Sequence, residues 1–577
     1  MNGQPLDAIS TAVIAAGMTN AVAEMKSVVC LTAYSNLWRE AGDLSCGLMS
    51  ATGDLVVQGM GDIPIHLASM PMTLEGCLKR IPASTLKPGD VLLQNDPYQG
   101  NNHLPDFMMS KPIFFDGRII GYSAVRGHFV DVGGGGPGSY STTMPDIYAE
   151  GLRIPPVLIY KEGVINQDIV DILQVNTRNS RERLGDLRSE YAGCVTAERR
   201  LIALCEKYGS EAVETTMRQI VDASERLTRQ AIRQIPDGVY RFEDHCDSDG
   251  ITDEPIKIAV KITVAADNIE VDFAGSSPQV RGGMNAALAT TISATCYAVK
   301  CLTDPENPPN SGSYRPIKVI APLGTVLNPM APAAVVAGNH ETAARIADAI
   351  IGALAQVLPH RVCAAGSGSS GVLSLGIRAT SDGAVHEMLM VETHGAGQGG
   401  NANGDGADTR RTGVGNTGNT PCEVLESSYP IHILRYEISQ DGGGAGRTRG
   451  GNGIRRELLL EHDATVTITA ERAKFGPYGL FGGLAAPTAK YWLKLPDGTL
   501  RVLPSKTAPM FLPKGTVIGI QAAGGGGYGP PRERSIDAIQ EDVDDGYIST
   551  DAAKELYGVT LTRHHDRTEG GWVVTGR

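Results

Sequence analysis

Residues 95–131 read NDPYQGNNHLPDFMMSKPIFFDGRIIGYSAVRGHFVD, and they contain the clearest local structural signal in the chain. The apolar runs SKPIFF (110–115) and RIIGYSAVRG (118–127) flank Asp116-Gly117, a dipeptide typical of tight β-hairpin turns. Pro and Gly residues in 95–106 exclude regular structure, so that segment is predicted to be a loop that follows the short strand 91–94. The pattern therefore predicts a hairpin entered from a polar loop.

This hairpin brings together side chains from its two ends. His103 and Asp106 precede the first strand, and His128 follows the second. Two imidazoles and one carboxylate are a common ligand set for a catalytic metal, which leaves positions open for water and substrate. On spacing alone the alternative is equally acceptable: a polar loop in which Asp106 only holds a histidine ring by a hydrogen bond.

Two further carboxylates lie near this stretch in the sequence. Asp43 precedes a predicted strand and is a candidate fourth metal ligand or catalytic base, although a turn or cap residue has the same pattern. Asp131 follows His128 closely, and for this residue a turn or capping role is preferred.

The rest of the chain predicts an α+β fold of several domains, with mixed and antiparallel sheets and a β-rich C-terminal half. Residues 7–35, 182–208 and 210–234 have helical periodicity, whereas strands dominate beyond 236. The predicted domains are an N-terminal α+β domain with the metal site (1–235), one or more β-rich mixed domains (236–532) and a peripheral, charged helical tail (533–577).

Composition narrows the classes of function. The chain has 577 residues and a formal net charge of -13, which argues against nucleic acid as a partner because phosphate binding needs clustered Lys and Arg. Its ten cysteines include no CxxC pair, as expected of reduced thiols in a cytoplasmic protein. No signal peptide and no membrane-spanning segment are expected from the sequence.

Glycine runs at 395–406, 442–453 and 523–527 suggest nucleotide binding at first sight. The chain contains no Gly-Lys dipeptide, however, and so no GxxxxGK[ST] phosphate loop. The runs are interpreted as tight turns and close backbone crossings, and no nucleotide cofactor site is predicted in this chain.

A series of motifs resembles one family, the hydantoinase B/oxoprolinase family. NDPYQGNNHLPD (95–106) is similar to its NDP(Y/W)xGGTHxxD stretch, and RGHFVDVGG (126–134) to its RxHHxDVGG stretch. The match continues, in order, through IYAEGLRIPPV (147–157), NTRNSRERLGDL (176–187), SPQVRGGMNA (277–286), YRPIKVIAPLGTVLNP (314–329), NTPCEVLESSYP (419–430), GGAGRTRGGNGIRRE (443–457), FGPYGLFGG (475–483) and AGGGGYGPP (523–531). The resemblance covers about residues 5–532.

The resemblance implies a metal at His103, Asp106 and His128, with zinc as the first choice and manganese or iron as alternatives. It also implies a hetero-oligomer in which ATP is held by a separate A-type subunit, which phosphorylates a small cyclic amide. This chain would then be the catalytic subunit that opens the ring with metal-activated water. Three departures from the family pattern concern the surroundings of the metal and the fit of the substrate: Asn101-Asn102, Phe129, and His340 in AGNHET (337–342).

Two other functions fit the same residues. The family also includes subunits of ATP-dependent acetone and acetophenone carboxylases, in which the metal would stabilise an enolate. A non-enzymatic scaffold subunit with structural His and Asp residues is the third hypothesis. The sequence does not specify the ring, the metal or the stoichiometry.

Overall fold

The predicted hairpin forms the middle of a seven-stranded sheet in the computed structural model, which describes residues 7–381, 384–563 and 571–577. The strands of this sheet are β1 Leu44–Ser50, β2 Leu55–Gln58, β3 Val91–Gln94, β4 Asp106–Phe115, β5 Arg118–His128, β6 Val157–Lys161 and β7 Val164–Ile165. Their antiparallel order across the sheet is β2-β1-β5-β4-β3-β6-β7. Asp116 and Gly117 both have positive φ, at 50° and 77°, as a tight hairpin turn requires. A β-bulge between Ile113 and Phe114 shifts the register by one residue, and Asp106 then lies directly opposite His128.

The helices surround this sheet and the sheets that follow it. Their bounds are α1 Ala8–Thr32, α2 Asn36–Arg39, α3 Pro64–Leu67, α4 Ser69–Arg80, α5 Ile147–Glu150, α6 Gln167–Asn176, α7 Ser180–Tyr208, α8 Ser210–Ile232, α9 Leu288–Thr303, α10 Ser311–Tyr314, α11 Ala343–Leu354, α12 Cys422–Ser428, α13 Ile536–Asp544 and α14 Thr550–Tyr557. The long helices α1 and α7 pack against each other, and α7 packs on β4 and β5. The buried face of α1 has the 3.6-residue spacing of Ile14, Met18, Val22, Met25 and Val29.

Helix α1 is long and apolar enough to cross a membrane, judged by length and composition only, with a mean hydropathy of 1.2 over its best 18 residues. That criterion is weak by itself, because core helices of soluble proteins also meet it. The expectation that the chain has no membrane-spanning segment stays a prediction.

The C-terminal half is rich in strands, and the α+β fold class with mixed and antiparallel sheets is confirmed. A four-stranded mixed sheet contains β8 Gly238–Cys246, β9 Ile256–Ala265, β10 Asn268–Asp272 and β11 Ile317–Ile320, with β11 parallel to β10. Two antiparallel sheets, β13-β12-β16-β19 and β14-β15-β20-β17-β18, are built from β12 Val372–Ser381, β13 Ala384–Glu392, β14 Ile431–Ile438, β15 Ile454–Leu460, β16 Ala464–Thr469, β17 Lys490–Lys494, β18 Leu500–Leu503, β19 Met510–Leu512 and β20 Val517–Gln521.

The three glycine runs lie against one another. The backbone N–H groups of Gly397, Gly451 and Gly525 donate to the carbonyl oxygens of Ala523, Gln398 and Gly451 respectively, so each run is hydrogen-bonded to another. A Cβ at Gly397 would collide with the carbonyl of Gly451, which explains the need for glycine there. The runs are therefore close backbone crossings, as their sequence indicates.

The end of the chain differs from the predicted helical tail. Beyond α13 and α14 it forms a two-stranded antiparallel sheet, β21 Thr560–Arg563 and β22 Trp572–Gly576, and residues 564–570 lie outside the described part. Trp572 and Val574 pack with Ile539, Tyr557 and Leu561 in a small core. The apolar segments of this tail are too short for their residue pattern to distinguish a strand from a helix. The division into domains at 235/236 and 532/533 stays a prediction.

Candidate metal centre

His103, Asp106 and His128 converge at one end of the central hairpin, as its register requires. Each offers one ligand atom, and these atoms all lie within 4.8 Å of one another. His103 lies in the loop before β4, Asp106 is the first residue of β4, and His128 is the last residue of β5. All three are buried, and this group could hold a metal ion.

The ring of His103 is oriented by the backbone. Its Nδ1 lies 2.9 Å from the carbonyl oxygen of Val336, which can only accept a hydrogen bond, so Nδ1 carries the proton. Nε2 is then the nitrogen that faces the group, and a bound metal would take the place of a proton on it. This Nε2 lies 3.1 Å from Oδ1 of Asp106 and 3.1 Å from the amide nitrogen of Asn339.

His128 is held by aromatic neighbours. Its Nε2 lies 2.7 Å from the hydroxyl of Tyr140, and the two rings stack with centroids 5.6 Å apart. Its carbonyl oxygen accepts a hydrogen bond of 2.7 Å from Nε1 of Trp38. Phe129, one of the departures from the family pattern, stacks on Phe107 at 4.6 Å inside the core. Burial lowers the pKa of His128 well below its usual value, so the ring is neutral.

Asp106 supplies the negative charge of the group. Burial alone would raise the pKa of its carboxyl, but the neighbouring His103 and His66 outweigh burial and hold that pKa well below its usual value. Oδ1 lies 3.1 Å from Nε2 of His103 and Oδ2 lies 3.3 Å from Nε2 of His66, whereas Nδ1 of His128 is buried and has no hydrogen-bond partner among the described residues. A buried nitrogen without a partner is rare, and His128 belongs to a group whose ligand atoms converge within 4.8 Å, so the residues present fit a bound divalent ion.

A small, partly open cavity of about 30 Å³ adjoins this group. Its wall contains aliphatic side chains such as Ile65, Val391 and Val414, which keep water away from a bound ligand. Its polar lining consists of Asp43, His66, His128, Tyr140, Asn339, His340, Thr393, Arg411 and Thr417.

The two spare carboxylates have different positions. Asp43 lies on the cavity wall, and burial raises its pKa to about 6. It is not a member of the group whose ligand atoms converge within 4.8 Å, so its assignment as fourth ligand or base stays a prediction. Asp131 instead accepts hydrogen bonds from the backbone of Gly133 and from the side chain of Arg178 at 2.8 Å, as a turn residue would.

A family model described as Hydantoinase B/oxoprolinase matches residues 7–531 of this chain. The chain belongs to the hydantoinase B/oxoprolinase family. It is 32% identical to the B-type component of a putative D-/L-hydantoinase from Pseudomonas sp. strain NS671, over 96% of each chain. It is also 32% identical to the beta chain of the caprolactamase from Pseudomonas jessenii, again over 96% of each. That caprolactamase is, by the name of its beta chain, an enzyme of more than one subunit.

Two solved structures share the fold of this family member. The crystal structure of the ATP-dependent caprolactamase from Pseudomonas jessenii superposes with a TM-score of 0.90 at 30% identity, over 97% of each chain. Acetone carboxylase in its nucleotide-free state superposes with the same TM-score at 21% identity, over 98% of this chain and 81% of that one. At 21% identity, the similarity to acetone carboxylase shows a shared fold and nothing about function.

Sequence reasoning missed several residues around the metal centre. His66, Tyr140, Asn339 and Arg411 line the cavity, but none of them lies in the loop or hairpin that gave the metal prediction. His66 has the pattern of a core histidine on a short apolar helix, so its neighbours in sequence give no functional signal. His340 stands out in the sequence only as a departure from the family pattern.

His66 orients the carboxylate of Asp106. The hydroxyl of Ser45 accepts a hydrogen bond from the backbone of Ile63 and lies 3.0 Å from Nδ1 of His66, so it can donate its own proton to that nitrogen. Nε2 of His66 then carries a proton, 3.3 Å from Oδ2 of Asp106. His66 therefore orients Asp106 and is not itself one of the three metal ligands.

We expect the substitution His66→Gln to weaken metal binding by about 10–100-fold, the usual effect of removing a partner of a metal ligand. The measurement is competition with a calibrated chelator on the purified chain. His360→Gln, at an exposed histidine, is the matched control and should bind metal as tightly as the wild type. Unchanged affinity in His66→Gln would contradict the orienting role.

Proposed function

We propose that this chain is the metal-bearing catalytic subunit of an ATP-dependent cyclic-amide hydrolase. In this proposal ATP is held by a separate A-type subunit, which phosphorylates the amide oxygen of a hydantoin, 5-oxoproline or lactam ring. The observation that carries the proposal is the buried group His103, Asp106 and His128 beside a cavity, in a chain that matches the caprolactamase structure along nearly its whole length. Zinc is our first choice for the metal, with manganese or iron as alternatives.

A metal at this group would supply a Lewis acid and a bound water of lowered pKa. The chain itself does the positioning. Val336 fixes the proton of His103 on Nδ1, Tyr140 and Trp38 fix His128, and His66 fixes Asp106. Asp43 lies on the cavity wall and is our candidate for the fourth metal ligand or for the base that orients the water.

The order of bond breaking decides whether the ring opens. Water attack on the phosphorylated amide gives a tetrahedral carbon that carries the ring nitrogen, the phosphate and a hydroxyl group. Loss of phosphate from this carbon would return the closed amide. The C–N bond must break instead, with a proton added to the nitrogen, and the acyl phosphate that remains is hydrolysed by a second water to carboxylate and phosphate.

Arg411 is our candidate for holding the anionic phosphate. No carboxylate lies within ion-pair distance of it among the described residues, although it is half-buried. Its Nε donates to the hydroxyl of Thr417 at 2.6 Å and its Nη1 to the carbonyl of Ser370 at 3.1 Å. Arg411 and Thr417 also line a larger outer cleft, so they form a boundary between that cleft and the metal cavity. A guanidinium without an anionic partner at this boundary suits an incoming phosphate.

The substitution Arg411→Gln is expected to weaken the binding of inorganic phosphate, a product of the reaction, by about 10–100-fold, because a charge-assisted hydrogen bond contributes roughly 1.5–3 kcal/mol. Calorimetric titration of the purified complex measures this binding. Arg410→Gln is the matched control, since Arg410 is exposed and lines only the outer cleft. Equal phosphate affinities in the two variants would contradict the role of Arg411.

The proposed function is tested by ATP-dependent turnover of the chain purified together with its A-type partner. The substrates are hydantoin, 5-oxoproline, lactams and ketones, each with and without bicarbonate. Ring opening independent of bicarbonate would support the hydrolase. Turnover of a ketone only with bicarbonate would overturn the hydrolase proposal in favour of a carboxylase. A partner that is fully active without this chain would show that the chain is a non-enzymatic scaffold.

A further inference from the structure

His340 lies on the wall of the cavity beside the metal centre, in a part of the chain more than 200 residues from the hairpin. It belongs to a π-helical turn, Gly338–Thr342, that leads directly into α11. Turns of this type are rare and are frequent at functional sites. The turn packs tightly against the backbone at Asn285, so that a Cβ at Gly338 would collide with that carbonyl. The ring of His340 is therefore held by a rigid element.

The two nitrogens of this ring have different environments. Nδ1 lies 2.9 Å from Oε1 of Glu341, and the same oxygen accepts a hydrogen bond of 2.8 Å from the backbone of Ser370. Because a carboxylate can only accept, Nδ1 carries the proton and Nε2 carries the lone pair. Nε2 is buried and has no hydrogen-bond partner among the described residues. His340 is only 8% exposed, so bulk water does not compensate for this missing partner.

A buried nitrogen without a partner is destabilising, and a purely structural role would not require one. The neighbours of the ring also keep it neutral. Burial lowers the pKa of His340, and the charges of His103 and Arg411 act in the same direction, whereas Glu341 opposes them. His128 interacts electrostatically with the ring, and the Tyr140 ring lies 5.4 Å from it, centroid to centroid. A neutral imidazole with a free lone pair, aligned by a carboxylate, is the arrangement of a general base.

We propose that His340 is a catalytic residue that takes the proton from the attacking water, with Glu341 as the positioning residue that holds its ring. This inference rests on the proposed function and adds to it a residue that the metal ligands do not include. As the water oxygen forms its bond to the activated carbon, one O–H bond of the water breaks and its proton moves to Nε2. The proton on Nδ1 stays in the hydrogen bond to Glu341. The proton on Nε2 is then available for the ring nitrogen as the C–N bond breaks.

The first test compares the complexes of wild type, His340→Gln and His340→Ala with the A-type partner. We expect His340→Gln to lower kcat for ring opening by about 10²–10⁴-fold, the usual contribution of a general base, with KM and metal content unchanged. Added imidazole should restore part of the activity of His340→Ala, because it can occupy the space of the lost ring. A residue with a purely structural role would show no rescue by imidazole.

A matched control uses the second histidine with the same kind of bond. His432 lies 3.1 Å from Oε1 of Glu426 through its Nδ1, but this pair is on the surface. His432→Gln should keep full activity. A wild-type kcat in His340→Gln, or a kcat loss fully explained by loss of metal, would overturn the proposal.

The second test needs no turnover, so it separates failure of this inference from failure of the proposed function. Nitrogen-15 NMR of histidine-labelled complex, with the His340 signal assigned by its absence in His340→Gln, reports the tautomer directly. We expect a proton on Nδ1 and none on Nε2 at neutral pH, and a changed signal in Glu341→Gln. A proton on Nε2 in the wild type would overturn the proposal even if cyclic amides are substrates. Absence of ring opening by a wild type with the expected tautomer would instead overturn the proposed function, and the catalytic role of His340 with it.

Discussion

The substitution Asp106→Asn is expected to lower kcat for ring opening by on the order of 10³-fold or more, because loss of a Lewis acid removes several kcal/mol of transition-state stabilisation. Asp106 is the anionic member of the group, and its two buried oxygens face the ring nitrogens of His103 and His66. Asparagine keeps the shape but not the charge, and only one oxygen remains to bind. Metal content should fall together with kcat.

The measurement is single-substrate turnover of the purified complex, with metal determined on the same sample. Asp131→Asn is the matched control: the residue is also a buried Asp three positions from His128, but it binds Gly133 and Arg178. That variant should keep its metal. A metal-loaded, active Asp106→Asn complex would show that the metal lies elsewhere.

The substitution Arg345→Met is expected to destabilise the folded chain by about 3–5 kcal/mol, the usual result of removing one partner of a buried ion pair. Arg345 is fully buried and lies 2.8 Å from Asp348 and 3.3 Å from Asp244. Its Nη2 also donates to the carbonyls of Ser367 and Gly368. Without Arg345 the two acidic groups share only Arg472. The segment 366–371, which supplies the backbone donor of Ser370 to Glu341, also loses two of its hydrogen bonds.

The thermal unfolding midpoint of the purified chain measures this loss. Arg200→Met is the matched control, because Arg200 forms a similar pair with Glu24 on the surface, where solvent screens it. The control should unfold at the wild-type temperature. An unchanged midpoint in Arg345→Met would mean that other contacts, not this ionic cluster, join α11 to the C-terminal half.

The sequence predicted the parts of the site that depend on local structure. Asp116-Gly117 sets a two-residue turn that starts the pairing at Phe115 and Arg118, and a β-bulge between Ile113 and Phe114 then shifts the register by one residue. The sequence therefore predicted that the two ends of the hairpin meet, whereas the pairing of Asp106 with His128 instead of Gly127 depends on that bulge. The alternation of buried residues in β9 and the helical spacing in α1 were predictable for the same reason, since both repeat within a few residues.

The remaining residues of the site are brought in by contacts over long distances in the chain. The carbonyl that orients His103 belongs to Val336, and the cavity is completed by His340 and Arg411. The strand order β2-β1-β5-β4-β3-β6-β7 is not sequential, and no spacing within one segment encodes it. His66 is 40 residues from Asp106, on a helix whose apolar neighbours show only that it is buried. Such residues can be assigned to the site only when the packing of the whole chain is known.

The most direct test of the account is metal removal and return on the wild-type complex. The complex is stripped with a chelator, and ring opening is followed as zinc, manganese or iron is added back in small steps. We predict that the stripped complex is inactive and that activity rises to a plateau at about one ion per copy of this chain, in line with the single buried group of three ligands among the described residues. A stripped complex that opens the ring at the full rate would show that His103, Asp106 and His128 do not form a catalytic metal site.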